Sequence, residues 1–165
     1  MAGNRYRIGV LTLSDKGARG ERQDESGRIL QELIAPLGSV ERYEVIPDDE
    51  ETIVRTLVEW VDREGLDLIL TTGGTGLTPR DVTPEATARV IERQVPGMAE
   101  AMRSASMRKT PHAMLSRALA GVRRATLIIN LPGSPKGVRE NLEVVFPALD
   151  HALAKLKGDP SECAR

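Results

Sequence analysis

The chain has 165 residues, 40% of them hydrophobic, enough for one compact domain with its own core. Its 23 basic and 24 acidic side chains leave a formal net charge of -1, so no general field draws it to nucleic acid or to an anionic membrane. Tyr6, Tyr43, Trp60 and Phe146 are too few for a base-stacking platform, and the single cysteine, Cys163, excludes an internal disulfide or a cysteine-based metal site. The polar start Met1 to Arg7 leads into no signal-like apolar segment, and no apolar run approaches transmembrane length. A cytoplasmic protein with no nucleic-acid and no membrane partner is expected.

In chain order, residues 7–14 are apolar and β-branched and read as a buried strand. A polar, glycine-containing loop follows over 15–26. Ile29, Leu30, Leu33, Ile34 and Leu37 recur at helical spacing, stopped by Pro36 and Gly38. Residues 40–46 read as a second strand, closed by Pro47-Asp48-Asp49. Ile53, Leu57, Trp60 and Val61 form the next helical stripe, which makes Trp60 a core or interface residue. Residues 66–71 form a third strand that opens into Thr72-Gly73-Gly74-Thr75-Gly76. Thr83-Pro84-Glu85 then reads as an N-cap, a proline at the first helical position and an acid in the first turn.

That helix runs to about Ile91, and Pro96-Gly97 starts another over Met98 to Met107. Met98, Met102, Met107 and Met114 read as fillers of irregular core gaps. Residues 126–131 are a fourth strand, ending in Pro132-Gly133-Ser134-Pro135. The last helix carries Val138, Leu142, Val145, Phe146, Leu149, Leu153 and Leu156, with a kink expected at Pro147. Alternating strands and helices predict an α/β domain over 1–157, a mostly parallel sheet covered on both faces, followed by a polar tail over 158–165.

If the four strands are parallel, Ser14-Asp15, Pro47-Asp48-Asp49, Gly73 to Gly76 and Pro132-Gly133-Ser134 meet on one rim, where open α/β sheets bind ligands. A glycine loop brings backbone N–H groups close to an anion, and the hydroxyls of Thr71, Thr72, Thr75 and Thr78 add donors and acceptors. Ser134-Pro135 opens a helix whose N-terminus attracts negative charge. Asp81 and Asp48 are candidate carboxylates, although each has an ordinary structural reading: Asp48 or Asp49 as a helix cap, Asp81 as a brace for the turn before Pro84. His112 and His151 lie far apart and have no carboxylates at zinc-site spacing. The chain carries no Walker A lysine, no G-x-G-x-x-G after the first strand and no Gly-x-Ser-x-Gly elbow.

The segments Leu11-Thr12-Leu13-Ser14-Asp15, Ile46-Pro47-Asp48, Thr71 to Ala86, Pro111 to Arg117 and Ile129 to Pro135 occur in that order. On them the chain resembles the MogA/MoaB-like molybdopterin-binding family, and within it the molybdopterin adenylyltransferases of the gephyrin G-domain type. The resemblance implies a three-layer α/β/α homotrimer that uses ATP and Mg²⁺. The implied reaction transfers AMP to the molybdopterin phosphate with release of pyrophosphate, and the product is handed to a molybdenum insertase. It implies Asp48 and Asp81 as catalytic and metal-binding residues. Ser14, Asp15, Gly73, Gly74, Thr75, Gly76, Ser116, Pro132, Gly133 and Ser134 are implied in ligand binding. A binding protein that holds molybdopterin without adenylylating it is the alternative within the same family.

Overall fold

A computed structural model describes residues 5–163. The start of the chain at 1–4 and the last two residues of the expected tail, 164–165, lie outside the described residues. Three strands are buried on both faces: β1 (Tyr6–Leu13) except at Arg7, and β3 (Leu68–Thr72) and β6 (Thr126–Leu131) throughout. Side chains alternate across them, so that Ile8, Val10, Leu68, Leu70, Leu127 and Ile129 serve one core cluster. Leu11, Leu13, Ile69 and Ile128 point into the other. The first cluster is covered by α2 (Glu25–Ile34), α5 (Pro96–Met107) and α6 (Pro135–Leu156). The second is covered by α3 (Glu50–Asp62) and α4 (Thr83–Val90). The expected three-layer α/β/α arrangement follows directly.

β2 (Gly38–Ile46) is an edge strand, and its polar, charged pattern suits a margin that must not recruit another strand. The sheet order is β2-β1-β3-β6-β5-β4, parallel through β6. Two strands absent from the sequence reading complete it antiparallel: β5 (Ala120–Arg123) and β4 (Arg93–Gln94). β5 has four residues, one of them glycine, and β4 has two, both exposed. The hairpin into β6 turns on Arg124-Ala125, with Arg124 at φ 51° in place of the usual Asn or Gly. Short, weakly apolar strands joined by an unmarked turn leave no periodic signal.

Several expectations change on contact with the structure. The loop after β1 contains a one-turn helix, α1 (Asp15–Ala18). Helix α6 continues as one element past Pro147, the position of the expected kink. Trp60 is fully buried beneath Arg42, whose guanidinium lies 5.6 Å from the ring centroid, so it belongs to the core. Met102 fills the core as expected, but Met107 and Met114 are exposed. Among the described residues no helix is long and apolar enough to cross a membrane.

One polar side chain inside β6 ties the layers together. Asn130 has no exposed surface; its amide nitrogen donates to the hydroxyls of Thr71 and Thr87, each at 3.0 Å. Its carbonyl accepts the Leu119 N–H at 3.1 Å. The residue thereby joins β3, β6, α4 and the segment entering β5, directly beneath the rim. Replacing it strands buried polar partners, each costing about 1–3 kcal/mol. We expect Asn130→Ala to lower stability by about 2–3 kcal/mol, read as a Tm drop of about 5–10 °C in thermal unfolding.

Candidate active site

Because β2, β1, β3 and β6 are parallel, their carboxyl ends reach the same rim. There a cavity of about 570 Å³ is walled by Ser14, Asp48, Gly73, Gly74, Asp81 and Gly133. A second cavity, of about 380 Å³, lies beyond the glycine loop and is bordered by Thr75, Gly76, Ser116 and Pro132. Arg103, Lys109 and Lys136 stand at its edge with His112, and Glu140 among them pairs with both lysines. Ser134 lines both cavities. Most of the sequence-predicted residues therefore come together in two adjoining spaces.

Asp15 does not line either cavity. Its carboxylate takes a forked contact from Arg80, at 2.8 and 3.0 Å, and accepts the Asp48 N–H at 3.0 Å. The Arg80 hydrogen bonds hold its carboxyl below the usual range. Asp48 answers by accepting the Asp15 N–H on Oδ2 at 3.1 Å, so the ends of β1 and β2 are laced together. Asp49 turns away to cap α3, accepting from the Thr52 N–H at 2.9 Å and hydroxyl at 2.6 Å.

The Asp48 carboxyl is pushed up, first by burial and then by the negative charges of Asp15 and Asp81. Among the described residues nothing donates a hydrogen bond to its Oδ1. Asp81 uses Oδ2 to accept the N–H and hydroxyl of Thr78, at 2.9 and 2.8 Å. Asp24 and Glu25 add further acidic side chains to the wall, against Arg22. No group of three or more His, Cys, Asp or Glu among the described residues is arranged to hold a metal unaided. Two carboxylates with unused oxygens fit instead the way Mg²⁺ binds, with substrate phosphates completing its shell.

The glycine loop is rigid for specific reasons. Gly73 and Gly74 have φ of 102° and 69°, a region that side-chain-bearing residues avoid. A Cβ on Gly73 would stand 2.5 Å from the Leu13 carbonyl oxygen. Three of the four loop threonines brace the structure rather than face a ligand. Thr71 accepts from Asn130, Thr72 donates to the Pro132 carbonyl at 2.7 Å, and Thr78 holds Asp81. Thr83 does not cap α4 as expected; Val82 occupies the cap position, and the Thr83 hydroxyl donates to the Gly73 carbonyl at 2.9 Å. Among the described residues no acceptor takes the Gly74, Thr75 or Gly76 N–H, so these donors stay available to an anion.

Four supporting residues were given no role by the sequence reading, two of them, Arg117 and Asn130, inside its matched segments. Ser26 donates to the Gly133 carbonyl at 2.7 Å, fixing the turn after β6. Asp24 caps α2 through Gly27 N–H and accepts the Thr12 hydroxyl at 2.6 Å. Arg117 donates to the carbonyls of Gly76 and Asp81, at 2.8 and 2.6 Å, and pairs with Glu85. Asn130 was visible as the one amide in an otherwise apolar strand, a signal that such a buried group has partners. Ser134 caps α6 through Gly137 N–H at 3.0 Å, the helix start the sequence predicts.

The raised Asp48 carboxyl has a measurable consequence. Its protonated form favours the fold, a contribution complete below the ordinary aspartate range and lost as pH rises through the folded-state value. Asp48→Asn keeps an acceptor for the Asp15 N–H but removes the charge. We expect it to raise Tm at pH 7 relative to the wild type, with the gain shrinking as pH falls through the raised value of Asp48 in the fold and gone below the ordinary aspartate value of about 4. A gain that grows on acidification contradicts this account.

The model of the probable molybdopterin binding domain matches residues 9–151. The chain is 44% identical to a molybdopterin adenylyltransferase of Helicobacter pylori strain J99, covering 92% of this chain and 88% of that one. It is equally 44% identical to the molybdopterin adenylyltransferase of Escherichia coli K12, over 88% and 76% of the two chains. The crystal structure of the molybdopterin biosynthesis enzyme MoaB of Thermus thermophilus superposes with a TM-score of 0.88 at 57% identity, covering 95% and 99%. The chain belongs to the molybdopterin-binding family.

Proposed function

We propose that this protein is a molybdopterin adenylyltransferase of molybdenum cofactor biosynthesis, with ATP and Mg²⁺ as its reaction partners. The observation that carries the reading is the convergence of Asp48 and Asp81 on a cavity walled by the Gly73–Gly74 turn and the Gly133–Ser134 helix start. Asp24 is already engaged by the Gly27 N–H and the Thr12 hydroxyl, which leaves Asp48 and Asp81 as the two carboxylates whose charge beside bound phosphates would call for a cation. Asp48 and Asp81 would hold Mg²⁺, which would supply charge neutralisation for the phosphates and the leaving pyrophosphate.

The chain's own groups do the positioning. The molybdopterin phosphate attacks the α-phosphorus of ATP; a P–O bond forms, the bond to the β-phosphate breaks, and its electron pair leaves with pyrophosphate. The nucleophile is already ionised near pH 7, so no side chain has to remove a proton. The Gly74, Thr75 and Gly76 N–H groups and the N-terminus of α6 orient the anions, which accounts for a large share of such catalysis. The two adjoining cavities give nucleotide and pterin separate places with the glycine loop and Ser134 between them.

A homotrimer belongs to this reading, and exposed Leu77, Met107, Met114 and Leu115 offer apolar surface for a subunit contact. So do a cytoplasmic location and hand-over of adenylated molybdopterin to a molybdenum insertase.

Incubating the purified protein with molybdopterin and α-labelled ATP tests the function: label should pass to the pterin with stoichiometric pyrophosphate. Binding of the pterin without transfer would support the non-catalytic alternative. Asp81→Ala should remain folded and lose about 10²-fold or more in turnover. A folded variant transferring AMP at the wild-type rate would remove Asp81 from the reaction.

A further inference from the structure

Asp81 stands at the end of an excursion, Leu77 to Arg80, whose four residues are all exposed. Its own turn, closed by Thr78, fixes the carboxylate relative to the excursion but not relative to the glycine loop. Thr83, two residues on, anchors the returning chain to the Gly73 and Gly74 carbonyls, and Arg117 adds a constraint on the neck itself. Its Nε donates to the Gly76 carbonyl at 2.8 Å and its Nη2 to the Asp81 carbonyl at 2.6 Å, the two residues where the excursion leaves and returns. Its Nη1 pairs with Glu85 in the first turn of α4, and its backbone N–H donates to the Thr75 carbonyl at 2.9 Å. One planar guanidinium thus closes the neck of the loop and docks it on α4, using a fixed fork of donors.

Arg117 lines neither cavity, but its partners border both. Thr75, Gly76 and Ser116, its partners and its neighbour in the chain, border the second cavity, whereas Asp81 faces the first. We propose that Arg117 is a positioning residue for adenylyl transfer: it sets Asp81 against the glycine loop and couples the second cavity to the carboxylate in the first. This rests on the role given to Asp81 above. Arg117 reaches the reaction through Asp81 and the loop.

Arg117→Lys keeps the charge but offers a single point donor that cannot bridge both carbonyls. The test compares Arg117→Lys, Arg117→Ala and Asp81→Ala with the wild type in the AMP-transfer assay, with Tm measured on each. The proposal expects kcat to fall by about 10-fold in the lysine variant and about 10²-fold in the alanine variant, with KM for ATP within about 3-fold. Mn²⁺ affinity in the presence of ATP, read by electron paramagnetic resonance, should weaken in both Arg117 variants. Added guanidinium ion should restore part of the Arg117→Ala rate and none of the Asp81→Ala rate. Wild-type kcat and Mn²⁺ affinity in folded Arg117→Lys, or activity lost only in proportion to unfolded protein, overturns it. An inactive Asp81→Ala beside a fully active Arg117→Ala defeats the Arg117 inference alone; a fully active Asp81→Ala defeats both readings.

Discussion

The site depends on how closely three stretches of backbone approach at Gly73. Its left-handed turn passes against the Leu13 carbonyl at the end of β1, and a Cβ on Gly133 would lie 3.3 Å from the Gly73 Cα. Any side chain here would push apart the ends of β1, β3 and β6. With them would go the Asp15–Asp48 lacing, which needs β1 and β2 in register at their ends. The parallel sheet brings the loops to one rim, and the missing side chain lets them touch there.

Around that contact, polar side chains are arranged in tiers. Asn130 sits deepest and joins sheet to helix. Above it Thr72, Thr83 and Ser26 each take a carbonyl from the turns at Gly73 or Pro132–Gly133. Arg117 and Arg80 act at the surface, one on the neck of the Asp81 loop and one on Asp15. Such satisfied networks hold one geometry where an apolar core would tolerate several. A charged cavity needs that rigidity, because Asp48 and Asp81 repel each other when no cation lies between them.

The sequence revealed the parallel core because Tyr6–Leu13, Leu68–Thr72 and Thr126–Leu131 are apolar runs bounded by turn residues. It also revealed the rim, since a loop after a parallel strand has only one end of the sheet to occupy. It missed β4 and β5 because β5 is held by pairing on β6 and β4 by pairing on β5, rather than by any pattern of their own. Thr71, Thr72 and Thr78 looked like ligand groups because composition shows that a hydroxyl is present but not which way it points. Arg117 escaped for a related reason: its acceptors are carbonyl oxygens of Gly76 and Asp81, atoms that every residue has.

The division of labour in the glycine loop bears on how such a protein can diverge. Its threonine hydroxyls are largely engaged within the fold, and the donors left over at Gly74, Thr75 and Gly76 are main-chain amides. No single codon change can remove an amide N–H except one that installs proline. Those amides keep their aim only while Gly73, Gly74 and Gly76 stay glycine, since a Cβ on Gly74 would stand 2.2 Å from the Thr83 hydroxyl, whereas the second cavity, edged by Arg103, Lys109, His112 and Lys136, is written in replaceable side chains. Substitution is therefore tolerated in the lining of the second cavity and penalised in the glycine turn, so the two spaces can diverge at different rates.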